Sequence, residues 1–230
     1  NKKKSVNYIL KDNFLSFYYP TTKSDHEDSL NGLVNFKPFS LNLKSNFNKL
    51  DLTNLFNQES LFISLLKSKI LFNKNLSIYG DLIAKKVLTF DTLDNFSSKF
   101  MIEKGYLDLV EAKFYWHDYA RFKVLDNLLS LDNENLILDG KLVIYVQDLK
   151  KIFRFFQTPK KLRKKIEKIE LQFNYNLDEK DLNILNIIID NKTNNNLNEF
   201  FQEKNLEKNH FENMIYLKKF INEILEVYSG

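Results

Sequence analysis

The stretch LSIYGDLIAK, residues 76–85, alternates without a break: Leu76, Ile78, Gly80, Leu82 and Ala84 fall on one side, and Ser77, Tyr79, Asp81, Ile83 and Lys85 on the other. Successive side chains of an extended chain point to opposite faces, so a period of two predicts a strand with one buried face. The same pattern recurs on both sides of it. Upstream, Phe39, Leu41 and Leu43 alternate with Ser40, Asn42 and Lys44. Downstream, Phe96, Phe100 and Ile102 stand opposite Ser97, Lys99 and Glu103, with Ser98 interrupting the apolar side. Farther on, Ile169, Leu171, Phe173, Tyr175 and Leu177 alternate with Glu170, Gln172, Asn174 and Asn176.

Turn residues separate these runs. Lys11-Asp12-Asn13, Asp132-Asn133-Glu134-Asn135, Trp116-His117-Asp118-Tyr119 and Asp178-Glu179-Lys180-Asp181 each read as a hairpin end, and Gly105 as a turn or bulge between two strands. Short links of this kind favour consecutive antiparallel strands in a meander. The period changes in three places. Leu55, Leu61, Phe62, Leu65 and Leu66 recur at helical spacing, Leu149, Ile152, Phe153 and Phe156 follow the potential cap Asp148 and stop before Pro159, and an apolar stripe from Phe211 to Tyr228 follows Asn209. Residues 191–198 read as a loop. The predicted class is mainly β with a few helices (α+β): a long antiparallel, curled sheet or groove, with helices at Asn54–Phe72, Asp148–Phe156 and from Asn209 to the end. Residues 1–190 are the sheet region, and residues 191–230 the loop and C-terminal helix packed on it.

Composition bounds the function. The 230 residues are 43% hydrophobic, enough for a substantial core, which argues against intrinsic disorder. Thirty-four Lys and Arg against 30 Asp and Glu leave a formal +4 with the signs interleaved, so no bulk field marks a nucleic-acid binder. There is no Cys, hence no disulfide, thiolate metal site or thiol nucleophile. The 29 Asn beside three Ala reflect an AT-rich coding bias, which also makes each Lys cluster, including Lys2 to Lys4, less informative. No apolar run is long enough to span a bilayer.

Catalytic patterns are missing. His26, His117 and His210 are scattered, with no His-x-x-x-His or His-Glu-x-x-His spacing, so no metal or cofactor is expected. Neither a Gly-rich phosphate loop nor a Gly-x-Ser-x-Gly elbow occurs. Asp25, Glu27 and Asp28 around His26 read as a solvated turn. The one concentrated basic stretch holds Lys160, Lys161, Arg163, Lys164, Lys165 and Lys168. It reads either as a solvated turn or as a contact for anionic lipid headgroups. It lacks the interleaved aromatics that single-stranded nucleic acid requires.

Five pieces together resemble the C-terminal region of AsmA-like proteins, the bacterial envelope group that includes TamB-like relatives. They are GLVNFKPFSLNLKSNFNKLDL (32–52), NLSIYGDLIAKKV (75–87), FSSKFMIEKGYLDLVEAKFYW (96–116), LILDGKLVIYVQDLKKIFRFFQ (136–157) and KIEKIELQFNYNLDEKDLNILNIIIDNK (165–192). Gly105 and Gly140 match the glycines that precede the next strand in that family. The resemblance implies a periplasmic protein tethered to the inner membrane through an N-terminal segment absent from these residues. It further implies a curled sheet whose apolar groove carries phospholipid toward the outer membrane, with no catalytic residues. The C-terminal helix has no counterpart in the resemblance.

The expected function is non-enzymatic binding or transport of phospholipid or another acyl-chain lipid between inner and outer membrane. The groove candidates are Ile78, Leu82, Phe100, Ile102, Leu138, Leu142, Ile144, Leu171 and Phe173, with Lys160, Lys161, Arg163, Lys164 and Lys165 as headgroup contacts and no nucleic acid as partner. A structural module that assists outer-membrane protein assembly by docking an envelope protein is the alternative. A hydrolase of envelope polymers is a weaker third, and it would need clustered buried carboxylates around a cleft.

Overall fold

The computed structural model describes residues 6–19, 28–51, 57, 59–68, 73–88, 92–104, 106–203, 206–207 and 213–229. Lys2 to Lys4, His26, Gly105, His210, the predicted cap Asn209, Phe211, and both ends of the first predicted helix lie outside them.

The chain is mainly β, and its described strands form a single sheet. In chain order they are β1 (Asn7–Lys11), β2 (Phe14–Tyr18), β3 (Ser29–Phe36), β4 (Phe39–Asp51), β5 (Leu76–Leu88), β6 (Thr92–Glu103), β7 (Tyr106–Trp116), β8 (Ala120–Asp132), β9 (Asn135–Val146), β10 (Lys168–Asn176), β11 (Asp181–Ile189), β12 (Lys192–Thr193) and β13 (Leu206–Glu207). Neighbours in sequence are neighbours in the sheet from β1 to β12, and β13 pairs with β11. The edges do not meet, so the sheet is open.

One pairing departs from the expected antiparallel meander. β4 and β5 run parallel, from Phe39 opposite Leu76 to Asp51 opposite Leu88. A parallel pair needs a crossover of a dozen or more residues. The predicted helical segment after Leu52 is that crossover, carrying α1 (Leu61–Lys67). Ser60 caps α1, its side chain accepting from the Ile63 N–H at 3.1 Å. The described helix is shorter than Asn54–Phe72, since residues 57, 59, 60 and 68 are not helical.

The other helices among the described residues are α2 (Leu149–Phe155), α3 (Asn195–Glu203) and α4 (Met214–Ser229). Asp148 caps α2 as predicted, accepting from the Lys151 N–H at 3.0 Å. α3 occupies part of the expected loop. Asn194 accepts from the Leu197 N–H at 2.9 Å, and the helix buries Leu197 and Phe201. At the head of α4 the Asn213 side chain accepts from the Ile215 N–H at 2.9 Å.

The apolar side of the sheet faces the helices, and the large clusters of buried side chains lie at its two ends. At one end, Ile63 and Leu66 of α1 join Leu76, Ile102, Leu107, Leu129 and Leu136, with Leu177 packed alongside. At the other, Phe153, Leu162, Ile166, Ile187, Ile189, Leu197, Phe201, Phe220 and Leu225 cluster, with Trp116, Phe156 and Leu217 beside them. α1 precedes β5 in the chain, yet Lys67 forms an ion pair with Asp178 in the β10–β11 turn. β5 and β10 of a flat sheet would lie about 24 Å apart. Curling brings them within reach of one short helix, so the helix-bearing face is the concave one.

The curl has a local cause. Register shifts occur within β6–β7, β8–β9 and β10–β11, and Asn95 and Asp126 at two of them have φ of 51° and 52°. Bulges bend a strand and increase its twist. They also turn the bulged side chain outward, which accounts for the exposed Val110 and Leu185.

Candidate functional site

Between the two end clusters the concave face carries a continuous apolar belt. Cross-strand pairing places Phe17 opposite Gly32, Gly32 opposite Leu43, Leu43 opposite Gly80, Gly80 opposite Phe100, Phe100 opposite Leu109 and Leu109 opposite Asn127. The Asn127 side chain then lies against Gly140, Gly140 pairs with Phe173, and Phe173 with Ile184. This line crosses ten strands, β2 to β11, perpendicular to their direction, a length of about 43 Å at ordinary strand spacing.

Gly32, Gly80 and Gly140 all lie in this one row, each opposite a phenylalanine. The rings lie down across the neighbouring glycines. A Cβ on Gly80 would stand 2.2 Å from the Phe100 ring and one on Gly32 2.1 Å from the Phe17 ring, while at Gly140 it would meet the Asn127 amide oxygen at 1.7 Å and the Phe173 ring at 3.2 Å. A flat ring over a bare backbone rises less than two upright side chains, so the row forms a low floor. The next row toward α2–α4 is also low where Ser45, Ser98 and Ala112 lie beside Leu82, Val124 and Leu142. On the α1 side the neighbouring row rises with Ile78, Ile102, Leu107, Leu129 and Leu138. This relief on a curled, open sheet is compatible with a shallow apolar furrow across the strands.

The nine groove candidates fall in four adjacent rows of this face. Phe100 and Phe173 are in the glycine row. Ile78, Ile102 and Leu138 are in the row beside it and belong to the cluster under α1. Leu82, Leu142 and Leu171 are in the row on the opposite flank, and Ile144 is one row farther, opposite Ile169. Of the nine, only Ile102 is fully buried; the others are half-buried. Leu171 packs on the cluster beneath α3 and α4, leaving Leu82, Leu142, Ile144 and Phe173 nearest the middle of the face. The row-mates Gly32, Leu43, Leu109 and Asn127 were not candidates. Their apolar parity is visible in the sequence, but their alignment depends on register across nine pairings.

Only two polar side chains on this belt are fully buried among the described residues: Ser98, and Asn127 at 1% exposure. The Ser98 hydroxyl and both polar atoms of the Asn127 amide have no hydrogen-bond partner. Charge is kept to the ends and the outer face. Asp178, at the α1 end, accepts from the Leu136 N–H at 2.8 Å as well as from Lys67. Burial pushes its carboxyl up, but the Lys67 ammonium and the Leu136 N–H outweigh this and hold it below the usual carboxylate range. On the outer face Glu170 lies between Lys141 and Lys168, whose hydrogen bonds lower its pKa.

The basic stretch leaves α2 through a 3-10 turn, Lys160–Leu162, and is pinned by the buried Leu162 and Ile166. Its five proposed headgroup contacts divide. Arg163 donates from Nε to the Thr158 carbonyl at 3.0 Å and lies 5.9 Å from the Phe153 ring centre, and Lys165 pairs with Glu167 at 2.5 Å. Lys160, Lys161 and Lys164 are exposed and have no ion-pair partner among the described residues. His117 sits in a turn with Nδ1 3.3 Å from the Asp94 carboxylate and packs edge-on against Tyr119. Among the described residues no three His, Asp or Glu are grouped so as to hold a metal ion, and no helix is long and apolar enough to cross a membrane. Comparison of the chain with protein-family models, with curated proteins and with solved structures found no match.

Proposed function

We propose that the furrow holds the acyl chains of phospholipid or a similar lipid, and that the protein works by binding rather than by catalysis. The observation that carries this reading is the glycine row: three cross-strand Gly–Phe contacts set on one line across the concave face. Packing of an isolated core does not require its small residues to align across ten strands, whereas a linear apolar ligand does benefit from it. Each methylene taken out of water gains about 0.8 kcal/mol, so a chain of about ten would gain roughly 8 kcal/mol without a specific polar contact. Transfer between such a furrow and a bilayer interior is nearly balanced, which suits passage in either direction. The strand pattern shared with the C-terminal region of AsmA-like proteins supports a place in the periplasm, tethered to the inner membrane by a further segment, in lipid movement toward the outer membrane.

Native mass spectrometry of the protein gently extracted from envelope membranes tests the reading. The expected spectrum contains species heavier by the mass of a phospholipid, which are lost on substitution of Leu82→Asp in the furrow and retained on substitution of Leu185→Asp on the outer face. Folded protein that stays free of lipid under these conditions would contradict it.

One feature favours the second reading, a module that assists assembly of envelope proteins. Edge strand β1 is exposed along its whole length, with Tyr8 at 71%, and its outer backbone edge is a template for another strand. Photocrosslinking from Ile9 in cells would recover one defined envelope protein under this reading, and only lipid or no adduct if β1 has no protein partner.

A further inference from the structure

Five cations without an ion-pair partner among the described residues stand close together in the chain after β9. Lys150 and Arg154 stand one turn apart on the exposed side of α2, and Lys160, Lys161 and Lys164 follow within the next ten residues. None of these five has an ion-pair partner among the described residues. The nearby acids are occupied: Asp118 and Asp148 by Lys151, Glu167 by Lys165, and Asp190 by the N–H groups of Glu167 and Lys168. The segment is also held in shape. Leu162 and Ile166 are buried, and the Arg163 bond to Thr158 closes the turn, so Lys160, Lys161 and Lys164 project from an anchored loop.

Beside this loop lies α4, which touches the 160–162 turn. Asn222 of α4 donates to the Phe156 carbonyl at 3.1 Å, and the Lys218 ammonium sits 5.6 Å from the Phe155 ring centre, so the first turns of α4 run next to the end of α2. Those turns expose Ile215 at 77% and Tyr216 at 57%, followed by Lys219. Glu223 and Glu226 lie two to three turns farther along the same side of the helix, about 10–17 Å from this pair.

We propose that this α2–loop–α4 face docks on the surface of an anionic bilayer. Lys150, Arg154, Lys160, Lys161 and Lys164 meet the headgroup charge, and Ile215 and Tyr216 enter the interface. An aliphatic and a tyrosine beside a lysine cluster fit the boundary between headgroups and acyl chains, where one end of the tyrosine is apolar and the other wet. Nucleic acid fits less well, because no aromatic interrupts the lysine run to stack on bases. The surface is separate from the furrow and binds whether or not the furrow is loaded. Its use in lipid movement rests on the reading given above.

Co-sedimentation of the full chain with vesicles tests the proposal, using phosphatidylcholine alone and phosphatidylcholine mixed with phosphatidylglycerol. Binding is expected only to the mixed vesicles and should weaken as salt is raised, since exposed charges are screened. Each basic residue near an anionic surface contributes roughly five-fold in partitioning, so K160E/K161E/K164E should weaken binding by about 100-fold or more. I215S/Y216S should remove the part that survives high salt. These side chains are exposed, so circular dichroism and the unfolding midpoint of both variants should match the parent. Equal binding to both vesicle types, unchanged binding by the triple-lysine variant, or displacement from vesicles by DNA of lower charge concentration would each overturn the proposal. Native mass spectra of the triple-lysine variant should still carry the furrow lipid. Loss of vesicle binding with retained lipid mass, or the reverse, therefore tells apart failure of docking and failure of the furrow.

Discussion

A methyl group at position 80 would collide with the Phe100 ring at 2.2 Å, and that ring is half-buried among its neighbours. Gly80→Ala should therefore cost about 1–3 kcal/mol by over-packing, read as a lower midpoint in urea unfolding. In a Phe100→Ala background most of that cost should vanish, because residues in direct contact do not act additively. An unchanged cost would place the strain elsewhere. Asp178 supplies a pH dependence at the same scale. Its folded pKa is depressed, so its contribution is fully present above the ordinary carboxylate value, about pH 4, and is lost as pH falls through that value toward the folded one. The thermal midpoint should fall with acid below about pH 4, and Asp178→Asn should start lower and fall less steeply. An identical acid slope in the variant would remove Asp178 from the account. Residue parity was legible in the sequence: Gly80, Phe100, Gly140 and Phe173 each sit on the apolar side of an alternating run. Their meeting in one row was not, since one residue of slip flips every side chain of a strand.

At the scale of elements, alternation located the long strands, and the turns at Asp12-Asn13, Asn133-Glu134 and Leu177–Lys180 fall between the strands they were expected to join. The parallel β4–β5 pair was misread because a local pattern carries strand periodicity but not direction. The long helical link after Leu52 was the available signal, since antiparallel neighbours do not need one. α3 was missed because Asn191 to Asn198 is polar and resembles a loop, whereas burial of Leu197 and Phe201 against the sheet decides it. Helices this short draw their stability from packing and caps rather than propensity. Ser60→Ala should accordingly lower stability by about 1 kcal/mol. Amides of α1 should gain hydrogen-exchange rate in that variant while those of β8 and β9 do not. A uniform change across the sheet would mean that α1 opens only with the whole fold.

At the scale of the molecule, successive bulges curl one open sheet around its apolar side, helices occupy both ends of that side, and the glycine row runs between them. The sequence carried the class, the curled sheet and the apolar face but not the glycine row, because row alignment emerges only when all the registers are summed. A linear apolar ligand should follow the row rather than the strands. A phospholipid bearing a photoreactive diazirine along its acyl chain, incubated with the full protein, irradiated and mapped by peptide mass spectrometry, addresses this most directly. The predicted result is adducts on Leu43, Leu82, Leu142 and Phe173, spread over strands distant in sequence but adjacent along the furrow, and none on the outward Val110 or Leu185. Adducts confined to outward-facing residues, or a protein that takes up no label while folded, would contradict the account.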